Sequence, residues 1–220
     1  MTVAIAIVLP DSAITITDGR RTKVETGKVE RDDMNKIVAF PEASCQVTVF
    51  GVTVATGEAV RLLQASPLPP DGVVVRARAA AALELGWSTF CRVHRDIPFG
   101  LPGIKAGLLV TGIDDFGPYL VASKIDGPHA GERFHRGPFY ETGAQVALGL
   151  SNEIDERFGR RLRESGLIAD PSISAPKRAD LIAKLAAEEI CAESRINPTV
   201  GGVVRYRAVL RSGLFCFGIV

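Results

Sequence analysis

A threonine stands directly behind Met1 and opens onto the apolar run Val3-Ala4-Ile5-Ala6-Ile7-Val8. Removal of Met1 would leave Thr2 with a free α-amino group. One residue would then carry a hydroxyl nucleophile and, beside it, an amine of pKa about 8 able to act as its general base. The chemistry open to such a residue is attack on a carbonyl. A threonine hydroxyl is a poor nucleophile at neutral pH, so a base must take its proton as it attacks, and preorganised donors must meet the tetrahedral oxyanion. A threonine at position 2 is unremarkable alone, and the case depends on the residues that could surround it.

The elements that would position those residues follow in the next fifty positions. The run from Val3 to Val8 alternates too little for a half-exposed strand and reads as a buried one. The second stretch, Ala13-Ile14-Thr15-Ile16-Thr17, ends in the polar turn Asp18-Gly19-Arg20-Arg21-Thr22. Joined around Pro10-Asp11-Ser12, the two strands make a hairpin that returns Asp18 to the side of Thr2. A third strand starts in Asp32-Asp33-Met34-Asn35-Lys36 and runs to Phe40; a fourth, Cys45 to Gly51, stops at a glycine before a helical pattern in Val54, Val60, Leu62 and Leu63.

At these residues the chain resembles the β-type subunits of proteasomes and their bacterial (HslV-like) relatives, the N-terminal-nucleophile hydrolases. The resemblance rests on Thr2, the Thr-Asp-Gly-Arg turn at Thr17 to Arg20, Asn35-Lys36-Ile37, and Phe50-Gly51-Val52-Thr53 leading into a helix. The separation of 16 positions between Thr2 and Asp18 matches the family's usual one, and the 34 from Thr2 to Lys36 implies a small insertion. Gly107 to Asp115 looks like the family's inner strand and Gly-x-Asp turn. Tyr140 to Ala147 looks like the Gly-Ser-Gly start of its third helix.

The chemistry of the residues runs beside that resemblance. Lys36 would supply a positive field that eases loss of the Thr2 hydroxyl proton and keeps the terminal amine neutral. Asp18 would pair with Lys36 and fix it, since a buried ammonium without a partner tends to lose its charge. The N–H of Gly51, at a strand end with no side chain in the way, is the natural oxyanion donor. Thr142 would hydrogen-bond the terminal amine, as the corresponding family serine does. Each has a plainer reading: a strand threonine, an Asx-capped turn at Asp18, a surface lysine, a glycine before a helix. Their co-occurrence in this order favours the site.

One departure counts against full activity. Where active family members carry an aspartate followed three residues later by Ser-Gly-Gly, this chain reads Asn197-Pro198-Thr199-Val200-Gly201-Gly202. Asn197 would orient the amine through its amide oxygen, and Thr199 offers a hydroxyl in a shifted register. The resemblance therefore implies either a threonine-type hydrolase cleaving amide bonds in peptide or protein substrates, or a silent proteasome-like scaffold subunit. A small-molecule amidohydrolase of the same superfamily is a third alternative.

Composition bounds the rest. The 220 residues suffice for one domain spanning 1–220. A charged fraction of 23% with a net charge of +1 gives no field favouring nucleic acid or an anionic membrane. No apolar run reaches 18 residues and no basic region precedes a hydrophobic core at the N-terminus, so a cytoplasmic protein is expected. Cys45, Cys91, Cys191 and Cys216 show no Cys-x-x-Cys pair and read as reduced thiols. His94, His129 and His135 read as surface or loop residues; no metal motif, Gly-x-Ser-x-Gly elbow or phosphate loop appears, and no cofactor is implied.

Helices are expected near 53–64, 75–94, 143–163 and 176–194, with further strands near 106–112, 119–125, 203–210 and 214–219. Grouped strands and paired helices suggest an α+β fold, a four-layer α-β-β-α sandwich of two antiparallel sheets with helices outside. The resemblance implies the same architecture and self-assembly into a ring homo-oligomer, with ring size and any ATPase cap beyond the sequence. The alanine-rich helix Ala77 to Leu85 is a candidate ring contact or an ordinary core helix.

Overall fold

The N-terminal hairpin forms the middle of one sheet. β1 (Ala4–Val8) and β2 (Ser12–Thr17) pair antiparallel with Ala4 opposite Thr17 and Val8 opposite Ala13, closed by the Ser12 carbonyl accepting the Leu9 N–H at 2.8 Å. The computed structural model of the chain describes residues 3–23, 28–94, 105–127 and 133–220. β3 (Arg21–Thr22) and β4 (Val29–Arg31) form a small ribbon of their own. A meander follows: β5 (Ile37–Phe40), β6 (Cys45–Gly51), β7 (Lys105–Asp114), β8 (Gly117–Asp126) and β9 (Arg133–Phe139) make a second sheet in chain order. β10 (Gln145–Leu148) returns to the free side of β1, and β11 (Arg205–Leu210) and β12 (Phe215–Ile219) complete the first sheet in the order β10-β1-β2-β11-β12. The helices are α1 (Thr53–Gln64), α2 (Gly72–Val93), α3 (Asn152–Glu164) and α4 (Ala175–Ile196).

The two faces of the hairpin do different work because side chains alternate along a strand. Ile5, Ile7, Ile14 and Ile16 point to α3 and α4, where Phe158, Leu162, Ile182, Ala186 and Ile190 meet them. The small residues Ala4 and Ala6, with Val8, point the other way, against Phe50, Leu109, Leu120 and Ala122 of the second sheet. The outer face of that sheet packs on α1 and α2 through Val47, Val110, Val121, Leu83 and Trp87. Between the sheets runs a polar seam: the Thr15 and Thr111 hydroxyls lie 2.9 Å apart, and Gln46 Nε2 donates to Thr111 at 2.9 Å and to the Arg207 carbonyl at 2.8 Å.

Several expected boundaries move. The helix expected from residue 143 begins at Asn152, because Gln145–Leu148 finds backbone partners opposite Ala4–Ile7 and is drawn into the sheet. Arg133–Phe139, where no element was expected, pairs with β8 as an edge strand. The third strand starts at Ile37; the residues before it are held by Met34 N–H to the Gly19 carbonyl and Val203 N–H to the Asp32 carbonyl. α2 starts three residues earlier than expected, at Gly72, where Asp71 caps the Val73 and Val74 N–H groups.

Candidate active site

The hairpin brings its two ends together through three hydrogen bonds on one residue. The Val3 carbonyl accepts the Asp18 N–H at 3.2 Å and the Thr17 hydroxyl at 2.9 Å, and the Val3 N–H donates to Asp18 Oδ1 at 3.0 Å. Thr2 lies outside the described residues. Its chain neighbour is thus bonded directly to the Asp18 carboxylate. Lys36, just before β5, sends Nζ to the same Oδ1 at 2.8 Å and to the Arg20 carbonyl at 2.7 Å. From the far end of the chain the Gly201 N–H reaches Asp18 Oδ2 at 3.0 Å.

This cluster is dry. Asp18 is fully buried and Lys36 only 7% exposed. Burial pushes the Asp18 carboxyl up from the ordinary carboxylate range, against the opposing pull of Lys36 and of the Val3 and Gly201 N–H groups. Burial likewise pushes the Lys36 ammonium down, against the pull of Asp18. Lys36 Nζ and the Val3 N–H at the start of β1 thus share one Asp18 oxygen, which sets the lysine's charge beside the head of that strand.

Arg20 organises the loop that supplies Gly201. Its Nη1 donates to the carbonyls of Pro198 at 2.9 Å and Val200 at 3.0 Å, its Nε to Asp32 at 2.7 Å, and its own N–H to the Gly201 carbonyl at 2.8 Å. Within that loop Asn197 Oδ1 accepts both the Thr199 hydroxyl at 2.6 Å and the Thr199 N–H at 3.2 Å. Asn197 and Thr199 therefore close an Asx turn, and Val200 is buried.

Gly51 ends β6 with φ +84°, and a Cβ there would run into the Lys105 carbonyl, so only glycine fits. The Val49 N–H bonds the Lys36 carbonyl at 3.1 Å, while the Lys105 carbonyl accepts the Val52 N–H. The alternation of an antiparallel ladder then directs the Gly51 N–H toward the β5 side of β6, beyond the last β5 pair, Ile37 opposite Thr48.

Thr142 is a correction. It lies in an exposed turn next to Gly143, whose N–H bonds the Val8 carbonyl, at the opposite end of β1 from Val3. Five residues of strand separate the two ends, about 17 Å. The segment that does pass the Val3 end is the one after Leu148, which stands opposite Ala4: Gly149, with φ +88°, then Leu150 and Ser151. The Ser151 N–H is held by Glu193 at 2.8 Å, and its hydroxyl is buried with no hydrogen-bond partner among the described residues. Sequence reasoning passed over Ser151, although a serine just before a helix is a standard N-cap signal.

The remaining polar candidates lie elsewhere. His94 ends α2 and packs at a tilt on Phe90, with ring centroids 5.0 Å apart. His135 sits within β9, not in a loop, with Nε2 3.4 Å from Glu84; His129 lies outside the described residues. The Cys45 thiol is buried and pushed up to about 12.

No family model and no curated protein sequence matches the chain. Its fold does have counterparts. The chain superposes on the solved structure of the Anbu (Gly-1) mutant from Hyphomicrobium sp. strain MC1 with a TM-score of 0.63 at 14% identity, over 100% of this chain and 87% of that one. At that identity the likeness shows the fold alone, the mixed α/β fold that the chain shares with that Anbu structure.

Proposed function

We propose that the chain is a threonine-type N-terminal-nucleophile hydrolase of the proteasome-like, HslV-like sort, acting on amide bonds of peptide or protein substrates. Its three cores read as one α-β-β-α sandwich over residues 1–220. The observation that carries the proposal is the buried Asp18–Lys36 pair, hydrogen-bonded to the N–H of Val3, the residue next to Thr2. With Met1 removed, Thr2 Oγ adds to the substrate carbonyl carbon as its proton passes to the α-amine in the field of Lys36. The Gly51 N–H meets the oxyanion. The C–N bond then breaks, the leaving amine takes that proton, and water hydrolyses the Thr2 ester. Ser151 is the hydroxyl offered to the terminal amine in place of Thr142. Self-association into a ring in the cytoplasm belongs to the same reading. None of the described helices is long and apolar enough to cross a membrane.

A second reading, a silent scaffold, draws on Asn197 and Val200, which stand where an aspartate and a serine are expected; the Asn197 amide oxygen is engaged by Thr199. Intact mass before and after incubation with a peptide epoxyketone separates the two, because that reagent needs both the hydroxyl and the free amine of an N-terminal threonine. Loss of Met1 and gain of one inhibitor, abolished in Thr2→Ala, is the expected result. A chain that retains Met1, or never takes the label, is the scaffold.

A further inference from the structure

The two sheets do not end together. Arg205, Arg207, Phe215, Phe217 and Ile219 share the face that carries Thr15 and Thr17, the face turned toward the second sheet. That second sheet stops at β5, its edge strand, and β12 overhangs it. Phe217 and Ile219 are consequently 73% and 69% exposed on a face that is closed around the hairpin. Arg205 and Arg207 line the groove between the overhang and β5, together with Asn35, Ile37, Phe217 and Ile219.

Charge and backbone both point outward here. The Arg207 guanidinium lies 5.8 Å from the ring centroids of Phe215 and of Phe217, and Arg205 donates to the Met34 carbonyl at 3.2 Å. Neither guanidinium has a carboxylate within ion-pair distance among the described residues, the charge of Arg205 acting on Asp33 only from farther off, and both are half-buried. A guanidinium stacked on aromatic rings without an ion-pair partner, as Arg207 is here, is built to receive a carboxylate. The bonds Leu210 N–H to Leu214 O and Val220 N–H to Val204 O fix the phase of the β11–β12 ladder. By that phase Cys216 and Gly218 pair with β11, and the N–H and C=O groups of Phe215, Phe217 and Ile219 face outward. The strand carries no proline, no charged residue and no bulge, the usual guards of an open edge.

We propose that the β12 edge docks an extended polypeptide segment whose one face carries apolar and acidic side chains in turn. The segment adds to the sheet through the outward groups of Phe215, Phe217 and Ile219. Its carboxylates sit on Arg207 and Arg205, and its apolar side chains cover Phe217 and Ile219. This surface does not depend on the catalytic reading of Thr2.

The test uses the full chain and a fluorescein-labelled peptide of sequence Val-Thr-Glu-Thr-Val-Thr-Glu, followed by anisotropy. Saturable binding is expected. It should weaken at least tenfold when lysine replaces glutamate in the peptide, and equally in Arg207→Glu and Arg207→Gln, with circular dichroism confirming both folds. Ile219→Pro, which removes an outward N–H, should weaken binding at least tenfold, and Ile219→Ala less than threefold. Absence of binding, or equal binding of the lysine peptide, overturns the proposal. So does a concentration-dependent dimer in light scattering that Ile219→Pro abolishes, since the edge then serves a second copy of this chain.

Discussion

Two buried carboxylates in this molecule are both pushed up by burial and yet end with shifts of opposite sign. Asp18 is fully buried beside one ammonium that is itself almost inaccessible, and its pKa rises because desolvation outweighs the attraction of Lys36. Glu189 on α4 is 1% exposed, and burial pushes it up as well. Yet it accepts from Arg157 at 2.7 Å and Arg161 at 2.6 Å, and those bonds bring its pKa below the ordinary glutamate value. The guanidiniums on Glu189 are 37% and 36% exposed, so their charges keep their hydration while neutralising the acid. Lys36 has no such access. One cluster is a brace between α3 and α4 whose acid is held charged, and the other a pair in which burial works against both charges; the difference lies in the cation and its contact with water.

The strongest way to break the comparison is to make the site resemble the brace. Lys36→Arg preserves the charge but cannot repeat the single Nζ held between Asp18 and the Arg20 carbonyl, so the field beside Thr2 is displaced and epoxyketone labelling should fall on the order of 100-fold with the far-ultraviolet spectrum unchanged. Labelling at the wild-type rate would mean that the placement of the Lys36 charge has no part in the site. The converse change, Glu189→Ala, leaves two arginines without their shared acid and should cost about 2 kcal/mol in urea denaturation.

The pH dependence sharpens the contrast. Glu189 has a lowered folded pKa, so its contribution is present above the unfolded value, about 4.3, and is lost as pH falls through the folded value. Asp18 has a raised folded pKa, so its contribution is present below its unfolded value and is lost as pH rises through the folded one. Glu189→Gln should therefore flatten the acid side of the stability curve, whereas Asp18→Asn should flatten the decline on its higher-pH side. Denaturant midpoints measured from pH 3 to 8 read both slopes. The smallest effect concerns Cys45: with its thiol pushed up to about 12, it should take no iodoacetamide at pH 8 in the folded chain, seen by peptide mass mapping.

Much of this site was legible because it depends on local pattern. The alternation in Ala13–Thr17 and the turn at Pro10–Ser12 set the hairpin, and the hairpin alone carries Asp18 back to Val3. Lys36 followed from the Asn35-Lys36-Ile37 motif that carries the resemblance. What escaped reading depends on pairing between distant segments. Gln-Val-Ala-Leu at 145–148 fits a helix as well as a strand until β1 offers it a partner, and that ambiguity misplaced Thr142 and hid Ser151. The Gly201 N–H on Asp18 is a backbone donor, and no side-chain motif announces it.

That last bond joins positions 183 residues apart, and Arg20 reaches 180 residues to hold the loop that makes it. Contacts of such span form late, after most of the chain has collapsed around local structure. On a ribosome, which delivers about 5–20 residues per second, Asp18 waits for α4 and the Asn197 turn to emerge before its second oxygen is satisfied. A partly made chain has the hairpin and the lysine but lacks the closing amide. Emergence of Gly201 thus acts as a timer on the site, holding its geometry open until the loop that closes it has been made.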